Sequence, residues 1–149
     1  MLFRSATIAW RRTSAGYTYD SYNRDHEVRI SNLTVPASAA PEFKGTAERM
    51  NPEEAFVAAL SSCHMLTFLA IAARKKLSLD SYDDEAVGTL EKNADGKLAM
   101  TRAILRPRIV WSPGVAVSPA ELEALHHAAH ENCFIALSVK TDVTVEPQA

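Results

Sequence analysis

The sequence predicts an α+β fold in which antiparallel sheet packs around a long central helix, in the order βββ-α-ββ-α-β. Three observations carry this. The stretch Asn51 to Lys76 opens with a helix-start signature and holds no charged residue from Ala55 to Ala73. Short stretches of alternating apolar and polar residues, bounded by turn residues, lie before and after it. A second helix-start signature stands at Ser118-Pro119-Ala120-Glu121.

A length of 149 residues predicts one domain, spanning 1–149, with enough chain to bury a substantial core. The formal net charge of -2 argues against a general nucleic-acid binder, which would carry a basic patch or stripe. No basic amino-terminal region leads into an apolar run and a small-residue cleavage site, so no secretory signal is expected and the expected compartment is the cytoplasm. Only Cys63 and Cys133 are present. That is too few for a disulfide scaffold, leaving two buried thiols or one functional pair.

Along the chain, Ser5 to Trp10 alternates as a strand and Arg11 to Gly16 reads as a turn. Tyr17 to Tyr22 and His26 to Ser31 are two further strand candidates, joined through Asn23-Arg24-Asp25. Tyr17, Tyr19 and Tyr22 are expected on one face, with a bulge at Tyr22. Leu33 to Met50, punctuated by Pro36, Pro41 and Gly45, reads as a segment without regular structure that wraps the central helix or reaches another subunit, with Phe43 as its anchor. In the central helix Asn51 is the cap, Pro52 suits the first turn, and Glu54 can reach back to the cap. Its uncharged run predicts burial on nearly all sides. The run could nominally cross a bilayer, but its small and hydroxyl residues and its capped, charged start predict a soluble core helix and no membrane partner. Leu77 and Leu79 then alternate into Tyr82. Glu85 to Lys92 and Leu98 to Trp111 form a hairpin through Asn93-Ala94-Asp95-Gly96, with Pro107 marking an edge or a bulge. The second helix runs to about Asn132, and Leu137 to Val145 alternates as a last strand.

Cys63 sits mid-helix after Ser61-Ser62. It reads either as a small hydrophobe in a tight Ala/Ser helix or as a reactive thiol. A reactive thiol needs a nearby cation or an amide-rich helix end, and mid-helix placement supplies no helix-end effect. Cys133 is either a core thiol or a resolving cysteine. Glu54 is explained by helix-end electrostatics. Glu53 lies about 15 Å of helical rise from Cys63, so the two do not touch directly. His126, His130 and Cys133 share one face of the second helix and, with Cys63, could form a Cys/His zinc site.

These residues also form a recognisable pattern. Asn51-Pro52-Glu53-Glu54 followed by Ala58-Ala59-Leu60-Ser61-Ser62-Cys63-His64 resembles the central motif of the osmotically inducible protein C and organic hydroperoxide resistance family. Ala129-His130-Glu131-Asn132-Cys133, with Phe134 and Ser138-Val139, resembles its second cysteine motif. The resemblance covers nearly the whole chain. It implies an OsmC-like intertwined homodimer with active sites at the subunit interface. It implies a thiol-dependent peroxidase that reduces organic hydroperoxides without haem, flavin or metal cofactor. By motif, Cys63 is the peroxidatic cysteine, Cys133 the resolving one, and Glu53 the carboxylate that holds an active-site arginine. Arg24 is the preferred match for that arginine, with Arg11, Arg12 and Arg29 as alternatives. Tyr22-Asn23-Arg24-Asp25-His26 differs from the glycine-rich loop of the best-known reductases and points to a separate branch. The implied reductant is a dithiol, with a lipoyl-linked one a candidate. Two rival readings remain at this stage: a binding protein that takes a small ligand in an apolar interface pocket, and the zinc protein.

Overall fold

Three strands open the chain: β1 (Thr7–Trp10), β2 (His26–Ile30) and β3 (Leu33–Ala37), paired antiparallel in that order. The computed structural model describes residues 1–148. It divides into two compact units, and the boundary after Ala55 falls in the first turn of the helix α1 (Pro52–Arg74).

In the first unit, β2 and β3 turn tightly at Ser31, whose φ of 54° is left-handed, as a two-residue hairpin connection demands. Pro36, which has no N–H, is accommodated because β3 is an edge strand. Two expectations are corrected here. Tyr17 to Tyr22 is a turn: the N–H groups of Ser21 and Tyr22 both donate to the Thr18 carbonyl, at 3.1 and 3.0 Å. The Ser21 hydroxyl accepts from the Thr18 N–H at 2.9 Å. Hydroxyls that satisfy the backbone locally compete with strand pairing. The aromatic rings still cluster, with Tyr17 6.1 Å from Trp10 and 5.8 Å from Tyr22 between centroids. Leu33 to Met50 likewise has structure of its own: it supplies β3 and a 3-10 turn at Pro41–Phe43. It then packs so closely that a Cβ on Gly45 would stand 1.6 Å from the Ala39 carbonyl oxygen. The expected cap of α1 is present, with the Glu54 N–H donating to Asn51 Oδ1 at 2.9 Å and the Asn51 N–H reaching Glu54 Oε2 at 3.4 Å.

In the second unit, α1 buries Leu60, His64, Phe68 and Ala72. Spaced four apart, they form one stripe. Burial on nearly all sides is therefore corrected: the remaining face is open, with Leu66 60% exposed. Four strands follow: β4 (Leu79–Asp84), β5 (Val87–Lys92), β6 (Leu98–Leu105) and β7 (Pro107–Trp111). β5 and β6 form the expected hairpin. Asn93 Oδ1 accepts from the N–H groups of Asp95 and Lys97, each at 3.0 Å, and Gly96 has a φ of 73°. The expected single strand from Leu98 to Trp111 is split at Arg106. Its N–H donates to Asp84 Oδ1 at 2.6 Å instead of to a ladder, and Pro107 has no N–H to continue one. The chain thus leaves the β5–β6 sheet and pairs β7 with β4.

Helix α2 (Pro119–Glu131) starts on the expected capping box between Ser118 and Glu121. After a 3-10 turn at Ala136–Ser138, the last strand, β8 (Asp142–Val145), is shorter than expected and runs parallel to β6. The observed order is βββ-α-ββββ-α-β. The core of this unit centres on Phe68, Ala72, Leu125 and Ala129, where α1 meets α2, with Tyr82, Ile109 and Trp111 packed against them.

Candidate functional site

Both cysteines are free thiols and both lie in the second unit. Cys63 is half-buried on α1. Cys133 is 1% exposed, just past the end of α2, where its N–H donates to the His130 carbonyl at 3.2 Å. The Ala136 N–H points at Cys133 Sγ from 3.5 Å. Burial pushes the Cys133 thiol pKa up, and the neighbouring Cys63 thiol, which interacts with it directly, pushes it further. The structure therefore brings the two sequence-predicted cysteines side by side across 70 residues of chain.

A second pair stands beside them. His64 Nε2 and His126 Nδ1 are 3.0 Å apart, and the rings are close to parallel at 10°, with centroids 5.3 Å apart. The two residues are 1% and 4% exposed. Burial is the main cause holding both imidazole pKa values down to about 4, so both rings are neutral at pH 7. Phe68 packs on His126 with centroids 4.6 Å apart. Cys63 meets Cys133, while the next residue, His64, meets His126, seven positions earlier. On the same helix as Cys63, Ser61 Oγ donates to Asp84 Oδ2 at 2.5 Å.

The zinc reading is corrected. Among the described residues, no three His, Cys, Asp or Glu side chains come together in a geometry that could hold a metal ion. His126 instead turns its Nδ1 to His64.

Arg24 and Glu53 belong to the first unit. The Arg24 guanidinium donates to the carbonyls of Tyr22 and Tyr19 at 3.0 and 2.7 Å and lies 4.0 Å above the Tyr22 ring. It borders a cavity of about 330 Å³ lined also by Trp10, Tyr17, Tyr22, His26 and Pro52. Glu53 Oε2 is buried with no hydrogen-bond partner, and among the described residues no ion pair joins Glu53 to Arg24. Of the alternative arginines, Arg11 donates to the Trp10 carbonyl at 2.9 Å and Arg29 pairs with Glu27 at 2.7 Å on the surface.

The family profile described as OsmC-like protein matches residues 45–148. The chain belongs to the OsmC-like family. An OsmC-like protein of unknown function from Vibrio cholerae O1 biovar eltor str. N16961 is 44% identical, with 99% of this chain and 100% of that one covered at a TM-score of 0.95. An organic hydroperoxide resistance protein OsmC from Legionella pneumophila is 19% identical, covers both chains completely and superposes at a TM-score of 0.73, a likeness of fold. The uncharacterized protein YmaD of Bacillus subtilis (strain 168) is 24% identical over 123 residues, or 82% of this chain and 81% of that protein.

In this OsmC-like chain, sequence reasoning missed the His64–His126 pair. A signal for it was present. His64 interrupts the four-spaced apolar stripe of Leu60, Phe68 and Ala72, and His126 falls one turn after Leu122 on the buried face of α2. A polar side chain inside an apolar stripe must find a polar partner.

Proposed function

We propose that this chain is a thiol-dependent peroxidase that reduces organic hydroperoxides to alcohols through Cys63 and Cys133. The observation that carries the reading is the placement of two free thiols against one another, one half-buried and one buried. The more accessible Cys63 is the attacking thiol. Its thiolate takes the distal peroxide oxygen, the O–O bond breaks, and the alkoxide leaves as the alcohol after gaining a proton. The sulfenic acid on Cys63 then condenses with the Cys133 thiol, forming the disulfide and releasing water. A dithiol reductant, a lipoyl-linked one being a candidate, restores both thiols by exchange.

Arg24 orients the peroxide and favours the Cys63 thiolate in this reading, and Glu53 holds the arginine. The unpartnered, buried Glu53 Oε2 supports the second role, because a carboxylate oxygen removed from water without a partner is costly until a cation or donor reaches it. The working form is a homodimer. The uncovered face of α1 around Leu66, and the apolar side chains of Phe134 and Leu137 beside Cys133, support this. The rival reading, a small-ligand binder with inert thiols, has one supporting observation: a cavity of about 520 Å³ bordered by Pro119, Leu122, His126, Val145 and Pro147.

Turnover of a bulky organic hydroperoxide with a dithiol, compared in wild type and Cys63→Ser, tests the reading. Activity in wild type and none in the variant supports it. An inert wild type, with thiols that survive excess hydroperoxide, leaves the ligand-binding reading in its place.

A further inference from the structure

The cavity beside Arg24 presents a second polar side chain, His26, to which the peroxidase chemistry gives no role. The cavity is built wholly from residues of the first unit. Trp10, Tyr17 and Tyr22 are its aromatic walls, with ring centroids 6.1 and 5.8 Å apart and planes tilted by 53° and 56°. Trp10 is fixed in place by its indole N–H, which donates to the Asn23 carbonyl at 2.7 Å. Arg24 is half-buried, and among the described residues no carboxylate forms an ion pair with it. Its guanidinium spends N–H groups on the Tyr22 and Tyr19 carbonyls and keeps others free for a guest.

His26 opens β2 directly opposite Trp10 on β1 and Ala37 on β3. Residues directly opposite one another share a face of the sheet. The His26 ring therefore stands on the Trp10 side, although the residue also borders a more polar cavity lined by Arg11, Asp25 and Arg29. Its Nδ1 lies 2.9 Å from the Arg24 carbonyl oxygen. A carbonyl can only accept, so Nδ1 carries the proton, and the neutral ring keeps Nε2 as a bare acceptor. No hydrogen bond to a described residue occupies Nε2. The same contact ties the imidazole to the backbone of the arginine, so a donor and an acceptor are held as a pair on one aromatic cavity.

We propose that this cavity seats the substrate, with Arg24 donating to a hydroperoxide oxygen, His26 Nε2 accepting from its O–H, and the rings of Trp10, Tyr17 and Tyr22 taking an aromatic substituent. The inference takes the hydroperoxide from the peroxidase reading and adds His26 and the aromatic walls to it. The head group follows from the two polar side chains. A hydroxyl or hydroperoxyl group both accepts and donates, so it satisfies both. A carboxylate would suit Arg24 but would turn a second acceptor toward Nε2. The body follows from the walls, since aromatic rings favour offset or edge-on contact with another ring. A volume of about 330 Å³ is small for a ligand site and suits a compound with a single ring. These hydrogen bonds hold the molecule and transfer no proton.

The test uses the full-length protein and cumyl alcohol, the product of an aromatic hydroperoxide, which binds without reacting. Calorimetry should show saturable binding. The methyl ether of that alcohol has no O–H to donate and should bind about fivefold more weakly, the range for one hydrogen bond between neutral groups. tert-Butanol, which lacks the ring, should also bind more weakly than cumyl alcohol. In His26→Phe the alcohol and the ether should bind equally. In nitrogen-15 histidine spectra of the wild type, the His26 Nε2 line should move with the alcohol and stay put with the ether, a result that needs no variant to fold. Equal wild-type affinities for the alcohol and the ether would overturn the proposal, as would a His26→Phe protein that still tells them apart or a His26 line that does not move. Binding of tert-butanol as tight as that of cumyl alcohol, or of benzoate tighter than either, would overturn it too. Turnover of hydroperoxide without binding here would reject this site alone. Binding here by a protein inert to hydroperoxide would keep the site and reject only the peroxidase reading.

Discussion

Cys133 is the residue on which the chemistry divides. Its thiol is buried against Cys63, which suits it to wait for an oxidised partner and not to meet a peroxide first. Cys133→Ser should therefore keep the first, stoichiometric reaction with hydroperoxide. The sulfenic acid on Cys63 should persist longer and overoxidise to the sulfinic form more readily, because its internal partner is gone. Mass spectrometry with dimedone trapping reads both effects. Arg24 makes a second prediction at this scale. Its planar fork reaches two carbonyls and stacks on Tyr22, geometry that lysine cannot reproduce. Arg24→Lys should recover only part of the turnover lost in Arg24→Ala. Turnover in Arg24→Ala equal to wild type would pass the role to Arg11, Arg12 or Arg29.

The helices carry the pair, and their crossing is held in part by His64 and His126. Each imidazole has its pKa lowered from 6.5 to about 4 in the folded protein, mainly by burial. The unfolded chain then binds more protons than the native one in that range. Stability should be full above about pH 6.5 and fall as pH drops toward 4. At about 1.4 kcal/mol per pKa unit the loss is a few kcal/mol. Denaturant unfolding at pH 7 and pH 4.5 measures it, and His126→Phe should flatten the difference. What the sequence made legible at this scale was local. The boxes at Asn51–Glu54 and Ser118–Glu121 each satisfy their own helix start, and the Asn93–Gly96 turn closes on its own side chain. Features set by distant partners were not legible. The break at Arg106 depends on Asp84, 22 residues away. The strand-like Tyr17 to Tyr22 yielded to the Thr18 and Ser21 hydroxyls. The His64–His126 contact joins residues 62 apart.

For the whole molecule, the cysteine motifs marked both thiols but could not place them together; the meeting of α1 with the end of α2 does that. The face of α1 around Leu66 is left open in a single chain, as expected of a subunit that buries it against a second copy. Sedimentation at micromolar concentration should give a mass twice that of the 16.3 kDa chain. Leu66→Glu should shift it toward the monomer and lower turnover with it. A monomeric wild type across that range would remove the dimer from the account.

The central claim is that Cys63 and Cys133 act as one redox pair, and peptide mass mapping after a single equivalent of organic hydroperoxide tests it most directly. The account predicts a linked peptide joining the Cys63 and Cys133 segments within one subunit, formed in wild type and absent from Cys133→Ser. Recovery of both cysteines as unlinked peptides, with turnover unchanged in Cys133→Ser, would contradict it and leave Cys133 as a core residue.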